Sequence, residues 1–278
     1  MRNRTFLSLT LFFASAAACA QGSFFSQWQA RASRTQSKQP GWSVPVITPY
    51  PALIQVARTD FVRQITIART TTWIYDNSKG VNVIPFANTE IDVNLPPYIQ
   101  HNVPATKDGA GDASFTLKFR PFAGNEQHGN HVASVAVAAT IPTGSYSNGS
   151  TDATIAPTIG LGKGYGRFDV QSCASVTLPT GDTSKLGRPV AWNAVLQYHV
   201  GKLWWPEVEE NSTFYSGGKN DGKVQTFATP GLMFGKLKLP PEDKTSRIGL
   251  AFGAGFQMAT STFHATNHNL VFTARYLF

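Results

Sequence analysis

Charge is scarce in this chain. Of its 278 residues only 14% are Asp, Glu, Lys or Arg, against roughly a quarter in an ordinary soluble domain, and that deficit argues against a typical cytosolic enzyme. Lys and Arg outnumber the acids by 24 to 16, yet they gather in no basic run, so the concentrated patch of a nucleic-acid binder is missing. Methionine is rare, with three, and cysteine rarer, with two. Because Cys19 falls in the leader described below, Cys173 stands alone and no intrachain disulfide can staple the mature fold. No stretch beyond the leader reaches 18 consecutive apolar residues, the length that would suggest a spanning helix. Glycine, proline and phenylalanine are plentiful, at 24, 17 and 19, which favours short strands and turns and an all-β fold.

Residues 1–20 read as a signal peptide. Arg2 and Arg4 precede an apolar run from Phe6 to Ala18, and Ala18-Cys19-Ala20 suits cleavage before Gln21. A lipidated Cys19 is the alternative, but Ala16 occupies the position where such signals usually carry Leu. The run is too short for a membrane anchor, which needs about 20 residues. An exported, weakly charged, helix-poor chain points to a secreted β domain or an outer-membrane barrel.

Period-two alternation runs through most of the chain. Phe168, Val170, Ser172, Ala174, Val176 and Leu178 oppose Arg167, Asp169, Gln171, Cys173, Ser175 and Thr177. Val190, Trp192, Ala194, Leu196, Tyr198 and Val200 oppose Ala191, Asn193, Val195, Gln197 and His199. Residues 247–258 and 113–120 repeat the pattern. A soluble sandwich also alternates, but its wet face would be rich in Lys and Glu. Here the polar faces are mostly Gly, Ala, Ser, Thr, Asn and Gln, which suits a confined lumen, and the large apolar residues would meet outer-membrane lipids. The side chains expected to line that lumen are Lys118, Arg120, Arg167, Asp169, Gln171, Asn193, Gln197, His199, Glu207, Glu209, Asn211, Gln225, Arg247, Gln257 and Arg275.

The last strand alternates Leu270, Phe272, Ala274, Tyr276 and Phe278, a pattern that resembles the C-terminal signal read by the barrel assembly machinery. With both termini periplasmic, Ile141 to Asp152, Leu178 to Pro189, Ser216 to Gly222 and Ser261 to Thr266 face outward. Lys163 to Gly166 and Gly201 to Leu203 face inward, as do the long connections Phe122 to Asn130 and Leu237 to Thr245. Counting back gives strands near 268–278, 247–260, 223–236, 204–215, 189–200, 167–178, 153–162, 131–141, 112–121, 81–95 and 62–75. Bacterial barrels usually have even strand numbers, so a twelfth is inferred around Tyr50 to Thr59. The spacing of Leu53, Ala57, Phe61 and Ile65 would also fit a helix. The expectation is an antiparallel 12-stranded transmembrane barrel over residues 49–278, preceded by an irregular tail or plug over 21–48. Pro157 and Pro230 predict bulges or kinks. Glu210, on the lipid-facing parity, predicts a register shift or a misdrawn strand.

From about Gly80 onward the chain resembles the outer-membrane proteins of the MetA-pathway phenol-degradation family. The resemblance is carried by Asn88-Thr89-Glu90, Leu95-Pro96-Pro97-Tyr98, Pro142-Thr143-Gly144, Gly162-Lys163-Gly164, Phe168-Asp169-Val170-Gln171 and Leu178-Pro179-Thr180-Gly181. It continues through Gly187-Arg188-Pro189-Val190-Ala191-Trp192-Asn193, Trp205-Pro206-Glu207, Thr229-Pro230-Gly231 and Gly253-Ala254-Gly255-Phe256-Gln257. It implies an outer-membrane β-barrel of a Gram-negative bacterium, linked by name to breakdown of aromatic compounds.

Chemical motifs are few. The pairs His128/His131 and His264/His268 lack the further ligands of a zinc site, no G-x-S-x-G elbow is present, and Gly160 to Gly166 reads as a hairpin turn rather than a phosphate loop. Cys173 reads as a small lumen-filling residue. An outer-membrane phospholipase would need Ser and His on the lipid face, whereas His199 has lumen parity. No cofactor, metal, nucleic acid or enzymatic activity is expected. A passive channel for small hydrophobic or aromatic solutes is the leading reading, and a closed structural or binding barrel is its rival.

Overall fold

The computed structural model describes residues 24–239 and 247–278. The expected signal peptide, and part of the connection after Leu237, lie outside the described residues. The chain forms a closed antiparallel barrel of twelve strands. We number them β1 (Val56–Thr66), β2 (Thr71–Asp76 and Gly80–Phe86), β3 (Thr89–Asn94 and Tyr98–His101), β4 (Gly109–Ala110 and Ala113–Gly124), β5 (His131–Ile141) and β6 (Thr154–Tyr165). Then follow β7 (Phe168–Val176, prolonged by Leu178–Pro179), β8 (Val190–Tyr198), β9 (Trp204–Phe214), β10 (Val224–Lys238), β11 (Gly249–Ala259) and β12 (Thr266–Leu277). β12 closes on β1 from Val56 opposite Leu277 to Thr66 opposite Thr266. Closure removes every sheet edge, so backbone groups are paired within the wall, as hydrocarbon demands. Strands of 11 residues such as β1, β5 and β11 match the roughly 9–11 that cross a bilayer when tilted.

The alternation sorts side chains as its polarity predicts. Phe168 and Val170 face outward at 50% and 44% exposure while Asp169 and Gln171 between and beside them are buried. Near the rim that carries both barrel ends, Phe86, Phe122, Tyr165, Trp204 and Tyr276 are exposed. There Phe168 packs on Tyr198 with centroids 4.5 Å apart, and Trp204 on Phe234 at 4.6 Å. Such aromatic girdles mark the membrane interface of outer-membrane barrels.

From β4 onward the strands follow the sequence reading within a few residues, but the first three are displaced. The expected strands at 50–59, 62–75 and 81–95 become 56–66, 71–86 and 89–101. The reason is the segment Asp76-Asn77-Ser78-Lys79-Gly80, which reads as a hairpin turn yet returns nothing. Asp76, Asn77 and Ser78 take left-handed φ values of 72°, 47° and 54°, and the chain then continues in the same direction, so both halves of β2 pair with β1. Leu95-Pro96-Pro97 interrupts β3 beside it, and Gly111-Asp112 interrupts β4. The steps are stitched by Leu95 N–H to Lys79 O (3.0 Å) and Gly111 N–H to Pro97 O (2.8 Å), producing an offset across three adjacent strands.

Four local expectations are corrected. The register passes through Pro157 opposite Val137 unbroken. At Pro230 the ladder to β11 lapses without shifting, and the irregularity lies between Gly235 and Leu237 instead. Gly160 to Tyr165 belongs to β6, not to a turn. Glu210 neither moves nor marks a misdrawn strand. It stands on the outer face opposite Ala194 and Ala228 in regular register, and accepts a hydrogen bond from Ser212 Oγ at 3.2 Å. An acid facing lipid is costly, so Glu210→Leu should raise the urea midpoint of the refolded barrel, by roughly 1 kcal/mol of stability. Urea titration in lipid vesicles checks this, and a lowered midpoint would show that the bond from Ser212 Oγ outweighs the cost of facing lipid.

Candidate functional site

The lumen is filled by the chain's own N-terminal segment. Residues 24–36 are helical, with no Gly or Pro to interrupt them, and this helix, α1, caps the terminal rim. Its Trp28 Nε1–H donates to Ile84 O (2.8 Å), and its ring lies 6.5 Å from that of Phe278. Pro40-Gly41 ends the turn after it. From there to Gln55 the chain carries Pro40, Pro45, Pro49 and Pro51, which removes amide donors and forbids both helix and ladder pairing. This stretch is nonetheless buried, with Val46, Thr48, Ala52 and Leu53 at 0% exposure. Its unpaired backbone groups therefore need side-chain partners.

The barrel wall supplies them, largely from ionisable residues. Glu207 Oε1 accepts Val46 N–H (2.8 Å), and Glu209 accepts Ile47 N–H (2.8 Å) and Thr48 N–H (2.5 Å). Glu90 accepts Ile54 N–H and is paired with Lys118 Nζ at 2.6 Å. In the opposite sense, Arg275 donates to Val44 O and Pro45 O. Arg58, clamped to Asp60 at 2.7 Å, donates to Val46 O at 2.5 Å. Arg120 holds Thr35 O (3.1 Å) and Gln39 Oε1 (2.5 Å), and Arg247 holds Ser33 O (2.5 Å) and Gln36. Gln171 reaches Ser43 O at 3.4 Å and Cys173 Sγ reaches Pro49 O at 3.3 Å.

Glycine in the wall makes the approach possible. A Cβ at Gly162 would lie 2.5 Å from the Trp42 ring, and one at Gly160 would lie 3.0 Å from Pro51 Cβ. The small residues of the inner faces, which suited a confined lumen, are thus seats for the segment. Trp42, Val46, Tyr50 and Ile54 pack with Val56, Val132, Trp205 and Met233 into one apolar cluster inside the barrel.

Two cavities flank this septum. One, of about 260 Å³, lies under the wall offset between Ser78, Lys79, Asn82 and Asp92 and the segment's Val44, Ile47 and Tyr50. The other, of about 390 Å³, opens toward the terminal rim between Trp42, Trp205, His199, Lys236 and Arg247. Val44, Tyr50, Ile54 and Arg275 line both, so these four residues are the partition. The Tyr50 hydroxyl donates to Trp42 O (3.3 Å). Burial, reinforced by the Asp169 and Glu90 carboxylates, pushes its phenol above the ordinary range, so it remains a donor.

Of the residues expected to line the lumen, Lys118, Arg120, Gln171, Glu207, Glu209, Arg247 and Arg275 grip the segment directly. Asn211 reaches Thr48 Oγ1 (3.3 Å) and joins Asn193 (2.9 Å) and Gln257 (3.3 Å) in a polar ladder. Gln197 supports Glu207 at 2.5 Å, and Asp169 accepts from Gln171 at 2.8 Å. His199 stacks on Trp205 with centroids 4.0 Å apart. Two others lie apart: Arg167 is exposed in the turn after β6, at the mouth, and Gln225 sits at the opposite rim, accepting Ala265 N–H (2.8 Å). Sequence reasoning missed Arg58, Asp60, Lys79, Glu90 and Asp92. The alternation of Glu90, Asp92 and Asn94 against Ile91 and Val93 carried that signal, whereas Arg58 and Asp60 were hidden by the misplaced first strand. His128 and His264 are engaged with Asn125, and with Ser261 and Asn267.

No family model matches the chain, and no curated protein does. Among solved structures it is similar to the COG4313 outer membrane channel from Pseudomonas putida F1, with a TM-score of 0.59 and 14% identity, covering 85% of this chain and 100% of that one. At that identity the likeness is one of fold. A closed barrel with an aromatic girdle at its terminal rim fits an outer-membrane location.

Proposed function

We propose that the protein is an outer-membrane channel, not an enzyme, whose lumen is closed by its own N-terminal segment and which passes small hydrophobic or aromatic solutes. The observation that carries this reading is the separateness of the filler. A barrel that serves only as scaffold can close its interior with side chains from its own strands, as eight-stranded barrels do. Here twelve strands enclose a lumen too wide for that, and the space is taken by a Pro-rich segment that shares no ladder with the wall. Apart from Phe278 N–H to Gln55 O (3.3 Å), its polar attachments are made through side chains, which can be released without breaking the barrel. The lining of the two cavities, with Trp42, Tyr50 and Trp205 facing polar walls, suits a solute with an apolar ring, and the family resemblance points to aromatic compounds. The expected signal peptide and the outward pattern Phe272, Ala274, Tyr276 and Phe278 would take the chain to the assembly machinery.

Single-channel recording in a planar bilayer tests the reading. The purified, refolded protein should show discrete conductance that small aromatic solutes reduce. A heat-modifiable barrel that stays silent, even after removal of the segment, would favour the closed structural barrel.

A further inference from the structure

The cavity under the wall offset holds a cation without a described partner. Lys79 occupies the step between the halves of β2 and lines the cavity, and among the described residues its ammonium has no hydrogen bond or ion pair. Its charged neighbours are Arg58, Asp60, Arg275 and Asp76. Asp60 is already chelated by Arg58 through Nε (2.8 Å) and Nη2 (2.7 Å), and Arg275 has Glu207 and Glu209 beside it as well as Asp60. Asp76 is therefore the remaining acid near Lys79, and no described side chain is within ion-pair distance of the ammonium. Asp92 also lines the cavity, next to the pair formed by Lys118 and Glu90. Facing Lys79 across the cavity is the apolar side of the septum, with Val44, Ile47, Tyr50 and Ile54. A volume of about 260 Å³ is near the lower end of small-molecule sites, roughly 300 Å³, and suits a single ring.

The same two ingredients recur on the other side of the septum. Among the described residues, seven Lys or Arg side chains and one acid, Asp92, line the two cavities together. Arg58, Lys118, Arg247 and Arg275 already hold an acid or the segment, whereas Lys79, Lys202 and Lys236 have no described side-chain partner. The second cavity is lined by Lys202, Lys236 and Arg247 together with Trp42 and Trp205. Arg275, common to both, stands between the two sets of cations. A neutral hydrophobic solute would have no use for this charge. A carboxylate would, because desolvated ammonium and guanidinium groups recompense its lost hydration only where they are otherwise under-used.

We propose that the cavity beneath the offset is a binding site for a small carboxylate carried on a planar apolar ring, its oxygens on Lys79 and its ring against the septum. This rests on the channel reading and narrows its solute class to organic anions. The carboxylate end must sit at Lys79 and away from Asp92, which orients the ring toward Tyr50.

The test is equilibrium binding to the full-length mature protein in detergent micelles, by titration calorimetry, with benzoate as probe, benzamide as its neutral counterpart and acetate as the carboxylate without a ring. Benzoate should bind more tightly than either control. Lys79→Met should weaken benzoate by about tenfold or more with no effect on benzamide, and Lys79→Arg should retain it. Equal binding of benzamide and benzoate, or benzoate binding untouched in Lys79→Met, would overturn the proposal. Heat-modifiable migration on gels verifies that each variant is a closed barrel. If Lys79→Met fails that check, the comparison of the three probes on the natural protein and Lys79→Arg still decides. Binding in micelles needs no conduction, so a channel that conducts but ignores benzoate sinks the site alone. A silent barrel that binds benzoate sinks the channel reading alone.

Discussion

Deleting residues 24–48 should raise the single-channel conductance several-fold. The segment supplies Trp42 and Val46 to the interior cluster, and with it gone the partition between the two cavities loses Val44. Twelve strands give a lumen between the filled eight-stranded barrels and the water-filled sixteen-stranded porins, so water should replace the segment and conduct. The wall itself should survive, because its twelve-strand ladder closes through β1 and β12 without any help from residues before Val56. Thermal stability should fall, since the buried apolar contacts of Trp42 and Val46 vanish and Glu207, Glu209 and Arg275 must be hydrated instead. Planar-bilayer recording reads the conductance and heat-modifiable migration confirms closure. Unchanged conductance in a closed, truncated barrel would mean that the segment does not obstruct the path.

The double substitution Glu207→Gln with Glu209→Gln should increase the frequency of openings while leaving the open-state conductance close to that of the truncated protein. These two carboxylates accept three consecutive amides, from Val46, Ile47 and Thr48. A neutral amide can accept through one oxygen only and presents an NH2 where Glu209 now presents its second acceptor. Hydrogen bonds to charged groups contribute about 1.5–3 kcal/mol each. A loss of about 3 kcal/mol in docking shifts the docked-to-free ratio on the order of a hundredfold. Gln225→Ala is the matched control, since Gln225 touches the loop at Ala265 and not the segment. Opening frequency equal to that of the unsubstituted protein would show that the carboxylates do not set the docking equilibrium.

Much of the wall was legible because its logic is local. In β7 to β12 each strand repeats apolar outside and small or polar inside with a period of two, and the two parities meet environments of opposite polarity. The parity of Glu209, Gln197 or Arg275 could therefore be read without knowing what faced them. The first three strands were not legible in the same way. Asp76 to Gly80 has the composition of a reversing turn, and whether a chain reverses there depends on which neighbour its next residues pair with. β1 is long enough to accept both halves of β2, and that decides it.

By itself, then, the sequence determined an all-β wall and the side of the wall on which most ionisable residues stand. Hydrophobic periodicity is a property of each strand and survives any arrangement of the others. What only the tertiary structure decided was the content of the lumen. Residues 40–55 have no period, and their prolines exclude both regular structures, so nothing local says whether they hang free or fold inward. They fold inward because Glu90, Glu207, Glu209, Arg58 and Arg275, scattered over β1, β3, β9 and β12, converge on one axis once the barrel closes. There they satisfy the backbone groups that proline leaves without a ladder.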